Sequence, residues 1–256
     1  MIADWLDLPS LSMFVALALL YAITGTAIAC VGLSRLTKMP RFEGVVAPFF
    51  GVVSVLFALL TGFLAGDIAD RNRQAARAVQ TEASELRNIH TLSVASVSSV
   101  GSIRAALAGY VNTLVNDEWP AMAADREAPA ASAAYDELVR EVSNPKIAQE
   151  TGTAVHTALL NAAVRAGTAR SDRLALAADR TSDIKWVLVL VLGIMTQLSI
   201  ALVHLQKRNA LIATLTVFSV AAVMALGLIG LQERPFAGDV RVPPGPLEEV
   251  AKLPAQ

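Results

Sequence analysis

The sequence predicts an all-α membrane protein, with four transmembrane helices in two pairs and a long-helix extramembrane insertion between helices 2 and 3. Three observations predict it. Hydrophobic residues make up 54% of the chain and charged residues only 17%, with a mean hydropathy of +0.52; soluble domains carry about a quarter charged residues. The apolar residues are clumped into four windows without Asp, Glu, Lys or Arg, at 8–34, 44–66, 186–206 and 209–232. Each is long enough to cross a hydrocarbon core about 30 Å thick. The polar stretch between the second and third windows is rich in Ala, Leu, Arg, Glu and Gln, which are good helix formers.

Span 1 covers residues 10–33. Ala27-Ile28-Ala29-Cys30 has the look of a lipoprotein cleavage box, but no Lys or Arg precedes it and Asp4 and Asp7 do. The apolar run continues through Val31 and Leu33, so a retained helix is expected. Span 2 covers 45–66, after the short link "SRLTKMPRFEG". Within it Gly44, Ala47, Gly51, Ser54, Ala58, Thr61 and Ala65 recur at alternating spacings of three and four, a stripe of small side chains on one face. Such a stripe lets helices approach closely, or lines a narrow pore; packing is the favoured reading. In an oligomer one helix can do both, one edge packing and the other lining.

No proline falls between Pro48 and Pro120, so span 2 is expected to leave the bilayer and run to about Asp117, loosened near Ser93–Ser102. The string "NDEWPAMAADREAPAAS" reads as a loop, followed by a helix over 133–142. Asn144 is an N-cap and Pro145 a first-turn proline for one further helix, whose apolar face carries Ile147, Val155, Leu159, Ala162 and Ala166. Spans 3 (186–205) and 4 (210–231) follow, joined by "QKRN", with Gln197 expected to hydrogen-bond between helices. Trp5 and Trp186 are candidate interfacial anchors. The domain reading is a first helix pair (1–66), an extramembrane helical insertion (67–185), a second helix pair (186–231) and an extended C-terminal tail (232–256) strapped against the insertion.

A net charge of −1 argues against nucleic-acid binding. Cys30 is the only cysteine, so no intrachain disulfide is possible, and His90, His156 and His204 are in no ligand spacing. No metal or cofactor is expected. No nucleophile or phosphate-binding motif occurs, and the carboxylate pairs Glu82/Glu85 and Asp117/Glu118 read as solvated faces or ion pairs, so no catalytic residue is assigned and the chain is read as not an enzyme. No span has an ionisable residue near its centre, which disfavours an ion-coupled carrier.

The strings "GFLAGDIADRNRQAARAVQTEASEL", "YVNTLVNDEWPAM", "ARSDRL" before a Trp-led span, and "ERPFAGDVRVPPGPL", in this order, resemble the bestrophin-like domain family of multi-pass membrane proteins, a domain of unknown function. The resemblance covers nearly the whole chain. It implies a likeness to bestrophins, which are ligand-gated anion channels, pentameric around a pore lined by the second transmembrane helix. On that analogy Phe49, Leu56 and Phe63, seven apart, correspond to an apolar neck, with Ser54 and Thr61 as further pore-lining or gating candidates. Asp67, Asp70, Arg71 and Arg73 would be pore-mouth charges of mixed sign. The aspartate-rich calcium clasp of animal bestrophins is missing, so calcium gating is not implied.

The expected function is thus a passive ion channel with its pore next to helix 2. The alternative is a non-conducting oligomeric scaffold or sensor whose insertion binds a partner. The implied partners are the lipid bilayer, further copies of the chain (a pentamer by analogy) and small inorganic ions, in a multi-pass protein of the inner membrane. The side of the insertion stays open. Arg35, Lys38, Arg41, Lys207 and Arg208 put the short loops in the cytoplasm, yet the insertion's flanks carry more basic residues and the analogy puts the insertion there.

Overall fold

Lipid offers no partner to a bare peptide group, and helices satisfy theirs internally. In a computed structural model of the chain, which describes residues 4–34, 47–95, 100–204 and 207–254, every regular element is helical. They are α1 (Ser10–Ser34), α2 (Ala47–Ala95), α3 (Gly101–Thr113), α4 (Trp119–Ala123), α5 (Pro129–Val142), α6 (Pro145–Thr151), α7 (Thr153–Ala178), α8 (Asp183–His204), α9 (Arg208–Gly230) and α10 (Gly245–Ala251). Four of them, α1, α2, α8 and α9, are long and apolar enough to cross a membrane. The 49-residue α2 is about 74 Å long, more than twice the core thickness of about 30 Å, so part of it must lie outside hydrocarbon. It stops at Ala95, short of the expected Asp117, where the Ser/Val-rich segment begins.

The chain divides into two compact units, Met1–Asp70 with Arg180–Glu233, and Arg71–Asp179 with Arg234–Gln256. In the first, α1, α8 and α9 are tied by one amide. Gln197 donates to the Tyr21 carbonyl and to Ser219 Oγ, both at 2.9 Å, and accepts from Thr24 Oγ1 at 2.7 Å. The expected interhelical role of Gln197 is what the structure shows, and it is completely buried. Phe57, Leu64 and Ile68 of α2 join Leu17, Tyr21, Trp186 and Leu226 in this core. Trp186 is fully buried, edge-on to Trp5 at 5.1 Å, and so does not serve as an exposed anchor.

Glycines set the helix spacing here. A Cβ at Gly193 would overlap the Tyr21 hydroxyl, and one at Gly227 would overlap the Phe14 ring. Small residues matter in lipid because association depends on close contact and not on hydrophobic drive. We therefore expect Gly193→Ala to destabilise the detergent-solubilised protein by about 1–3 kcal/mol. Tyr21→Phe, which deletes the atom nearest the new methyl, should restore part of that loss in a double-mutant cycle of thermal unfolding. Simple additivity would count against this contact.

In the second unit α3 returns antiparallel along α2. Arg104 Nη1 donates to the Ser93 carbonyl at 3.1 Å, and Tyr110 Oη to Glu82 Oε1 at 2.7 Å, so residue numbers fall on one helix as they rise on the other. The expected loop from Asn116 is helical instead. A π-turn, Leu114–Glu118, leads directly into α4, and the Trp119 N–H reaches the Leu114 carbonyl. Pro120 has no N–H and crowds the carbonyl four residues back, and a widened turn relieves that conflict without ending the helix. Helix α4 closes with Arg126 N–H on the Ala121 carbonyl (2.8 Å) and Asp125 N–H on Met122 (3.2 Å). Asp125 takes the left-handed position (φ 52°), as short polar side chains can.

Asn144 caps α6 as expected, its side chain accepting from Lys146 N–H at 3.1 Å. The single helix expected from Lys146 is split, because Gly152 sits at φ 84°, ψ 152°, a conformation open only to glycine. The tail packs back: Phe236, Leu247 and Val250 join the core of this unit with Leu86, Leu107 and Leu159. Arg234 donates to Asp125 at 2.7 Å and Arg87 to Glu249 at 3.1 Å.

Candidate functional site

Helix α2 positions the sequence-predicted pore residues. Its inner face buries Phe57, Leu64 and Ile68, spaced seven and four residues apart. The opposite face is bare: Val52, Val55, Leu56, Leu59 and Phe63 are 44–66% exposed. Gly51, Gly62 and Gly66 have open space where a side chain would go. Ser54 and Leu56 are two residues apart, as are Thr61 and Phe63, a rotation of about 200° on a helix. Ser54 and Thr61 are accordingly half-buried, beside the packed face, while Leu56 and Phe63 are exposed. The five predicted lining residues do not share one face. Phe49 lies in the first turn of α2 with its side chain outside the described residues, and Gly44, Arg35, Lys38 and Arg41 lie outside them too.

The predicted mouth charges also separate. Asp67, Asp70 and Arg73 are exposed, and Asp67 accepts from Lys185 Nζ at 2.6 Å. Arg71 is turned inward, 8% exposed, with Asp179 at 3.9 Å. It is held within its own unit.

The second unit contains a charge network in which Glu82 and Glu118, expected on solvated faces or in ion pairs, form ion pairs; their burial and their arginine partners were not predicted. Arg173 of α7, with no exposure, donates from Nε to Glu82 Oε2 at 2.7 Å and from Nη2 to Glu118 Oε1 at 2.6 Å. Arg170 bridges Glu118 from the other side through Nε at 2.9 Å and through a short Nη2 contact, and reaches Ser132 Oγ at 2.9 Å. Tyr110 completes Glu82. Two carboxylates meet two guanidiniums, so the cluster carries no net charge, which is the condition for keeping ions in a dry core. Trp119 lies under the Arg173 guanidinium at 5.6 Å and Tyr135 under that of Arg170 at 5.8 Å.

The proton affinities follow this geometry. Burial alone would raise the Glu118 carboxyl, but the hydrogen bonds and charges of Arg170 and Arg173 outweigh it and hold it below its usual 4.5. Burial, and Glu82 beside it, push the Tyr110 phenol well up, so it stays a hydrogen-bond donor. Desolvation works against the Arg173 charge, yet Glu82 and Glu118 together raise its proton affinity. Every charged group is already satisfied by its neighbours. The arrangement clamps α2, α7 and the π-turn and leaves no free acid, base or nucleophile.

The histidines are each committed to a backbone carbonyl: His90 to Pro254 (3.0 Å), His156 to Val142 (3.0 Å) and His204 to Ile200 (2.9 Å). Among the described residues no group of three or more His, Cys, Asp or Glu side chains converges as metal ligands would.

A search of curated proteins gave no match. Among solved structures, the bacterial bestrophin homologue from Klebsiella pneumoniae is similar in several forms. The form phased by zinc anomalous scattering has a TM-score of 0.67 at 11% identity, covering 93% of this chain and 96% of its own. Two single-residue variants give 0.70 at 12% identity (93% and 96% covered) and 0.68 at 12% (94% and 95%). At such identity the likeness is one of fold. The sequence itself matches the bestrophin-like domain over residues 12–247. With four long apolar helices, no strand among the described residues and that match along nearly the whole chain, the protein belongs to the bestrophin-like domain family.

Proposed function

We propose that the protein is a passive ion channel in the inner membrane, a ring of identical chains with α2 beside the conduction path. The observation that carries this reading is the bare face of α2. A helix whose outer half carries Leu56, Leu59 and Phe63 on one side and Gly51, Gly62 and Gly66 on the other has two edges to offer. In the proposed ring the glycine edge packs on the next copy, and the Leu56/Phe63 edge, with Phe49 one heptad earlier, forms the apolar constriction. Apolar constrictions gate by dewetting. Ser54 and Thr61, on the packed side, fall outside this lining. Asp67, Asp70 and Arg73 remain mouth charges in this reading; with the Asp67 charge matched by Lys185, Asp70 and Arg73 offset each other, which favours neither anions nor cations. The fivefold ring and the inorganic-ion cargo come from the bestrophin resemblance, which the family membership and shared fold support. The absence of an ionisable residue near the centre of any span favours passive flow over coupled transport.

Purified protein in a planar bilayer tests it. Discrete single-channel currents are expected, with Phe63→Ala raising unit conductance severalfold by opening the constriction. Silence from a protein shown to be folded and inserted would leave the scaffold or sensor reading. Currents unchanged in both Phe63→Ala and Leu56→Ala would remove α2 from the path.

A further inference from the structure

Helices α1 and α9 run antiparallel, with Phe14 against Gly227 at one end and Cys30 near Arg208 at the other. Between them lies a groove of about 580 Å³. Its walls are Ala22, Ala29, Ile212, Val220 and Met224, and Arg208 stands at one end. Two of the hydroxyls along it are spent on their own helix: Thr216 Oγ1 donates to the Ile212 carbonyl (2.8 Å) and Ser219 Oγ to that of Leu215 (2.7 Å). What it offers is therefore hydrocarbon surface within two membrane-spanning helices.

From Arg208 to Met224 the groove follows α9 over 17 residues, about 24 Å. One leaflet's share of the hydrocarbon core is about 15 Å. The end marked by Arg208 has a distinct electrostatic character. The Arg208 guanidinium is exposed and has no ion pair among the described residues, Lys207 precedes it, and both sit at the positive end of the 23-residue α9. An apolar trough longer than one leaflet's share of the core, and so long enough to take a whole acyl chain, opening on a cation at the end of a span, is complementary to one kind of occupant. We infer that this groove holds an acyl chain of an anionic glycerophospholipid, with its phosphate on Arg208.

A basic side chain near the membrane surface favours anionic lipid by about fivefold in affinity. Cys30, the only thiol of the chain, lines the groove and is exposed, and so reports occupancy. The delipidated, detergent-solubilised protein would be treated with N-ethylmaleimide under titration with dioleoyl phosphatidylglycerol or phosphatidylcholine, and bound lipid counted by native mass spectrometry. Phosphatidylglycerol is expected to protect Cys30 at about fivefold lower concentration than phosphatidylcholine. Arg208→Ala should erase that preference and Arg208→Lys should keep it. Val220→Trp, which fills the trough, should abolish both protection and retained lipid. Equal protection by the two lipids, protection by neither, or a preference that survives Arg208→Ala would overturn the inference. So would a Cys30 that is shielded in lipid-free oligomer and becomes reactive on dissociation, since a second copy would then occupy the groove.

Discussion

Arg173→Ala will destabilise the protein by about 3–5 kcal/mol, the range for removing one partner from a buried ion pair. Arg173 has no exposure and is the one cation bound to Glu82 among the described residues. Its removal leaves a carboxylate in a core of Leu86, Leu107, Tyr110 and Leu159, with only the Tyr110 hydroxyl to solvate it. Arg173→Lys will recover little, because one ammonium cannot reproduce the fork that reaches Glu82 through Nε and Glu118 through Nη2. Removing both charges is the informative comparison. Glu82→Leu with Arg173→Met leaves Glu118 matched by Arg170, and this double variant should be more stable than Arg173→Ala alone. Thermal unfolding followed by far-UV circular dichroism would read all three. A double variant no more stable than the single one would mean that packing, and not charge balance, dominates at Arg173.

The same network gives acid sensitivity a sign. The folded-state proton affinity of Glu118 is depressed below the usual 4.5, so its contribution to stability is complete above that pH. It is lost as pH falls from about 4.5 through the lower folded value. Glu118→Gln should be less stable at neutral pH, since the buried Arg173 and the half-buried Arg170 guanidiniums then face one carboxylate, and its stability should fall less steeply on acidification than that of the unaltered chain.

Gly62→Leu should leave each chain folded and break the oligomer. A Cβ at Gly62 meets nothing within 4 Å in the single chain, so the larger side chain has room. In the proposed ring that space belongs to the neighbouring copy, and overpacking costs about 1–3 kcal/mol at every interface. Light scattering in detergent would show the mass of the assembly dropping towards that of one chain, with the helical signal intact. An unchanged mass would put the glycine edge in contact with lipid or the lumen, and the packing edge would have to be sought elsewhere on α2.

Much of this was legible in the sequence because hydrocarbon imposes a one-dimensional rule. A span must be a long run without charges, and α1, α8 and α9 follow their charge-free windows closely. Gln197 could be read as a tie between helices because a lone amide in lipid needs partners, and it has three. The split in the predicted pore set was legible as well, since residues two apart cannot share a helix face, whatever the spacing of seven within each subset. The buried network left a weaker trace. Glu82 falls in phase with Ala75, Val79 and Leu86, and Arg173 with Ala162, Ala166 and Ala169, all buried. A charge on an apolar face asks for a buried partner. Its neighbour Glu85 is off that face and pairs with Arg165 at 2.8 Å, on the surface.

By itself, then, the sequence determined the number of spans, the all-helical class, the continuation of α2 beyond the bilayer's thickness and the family, since each follows from local runs, helical phase or ordered motifs. The tertiary structure decided the rest. It joined Glu82 to Arg173 across 91 residues, carried the helix through Pro120 on a π-turn, and folded the tail into the core. It also turned Arg71 inward while leaving the Leu56/Phe63 edge bare. The reason is physical: a charge's fate depends on the counter-charge that folding brings beside it, and a helix face's fate on which neighbour covers it. Neither is a property of a window of sequence.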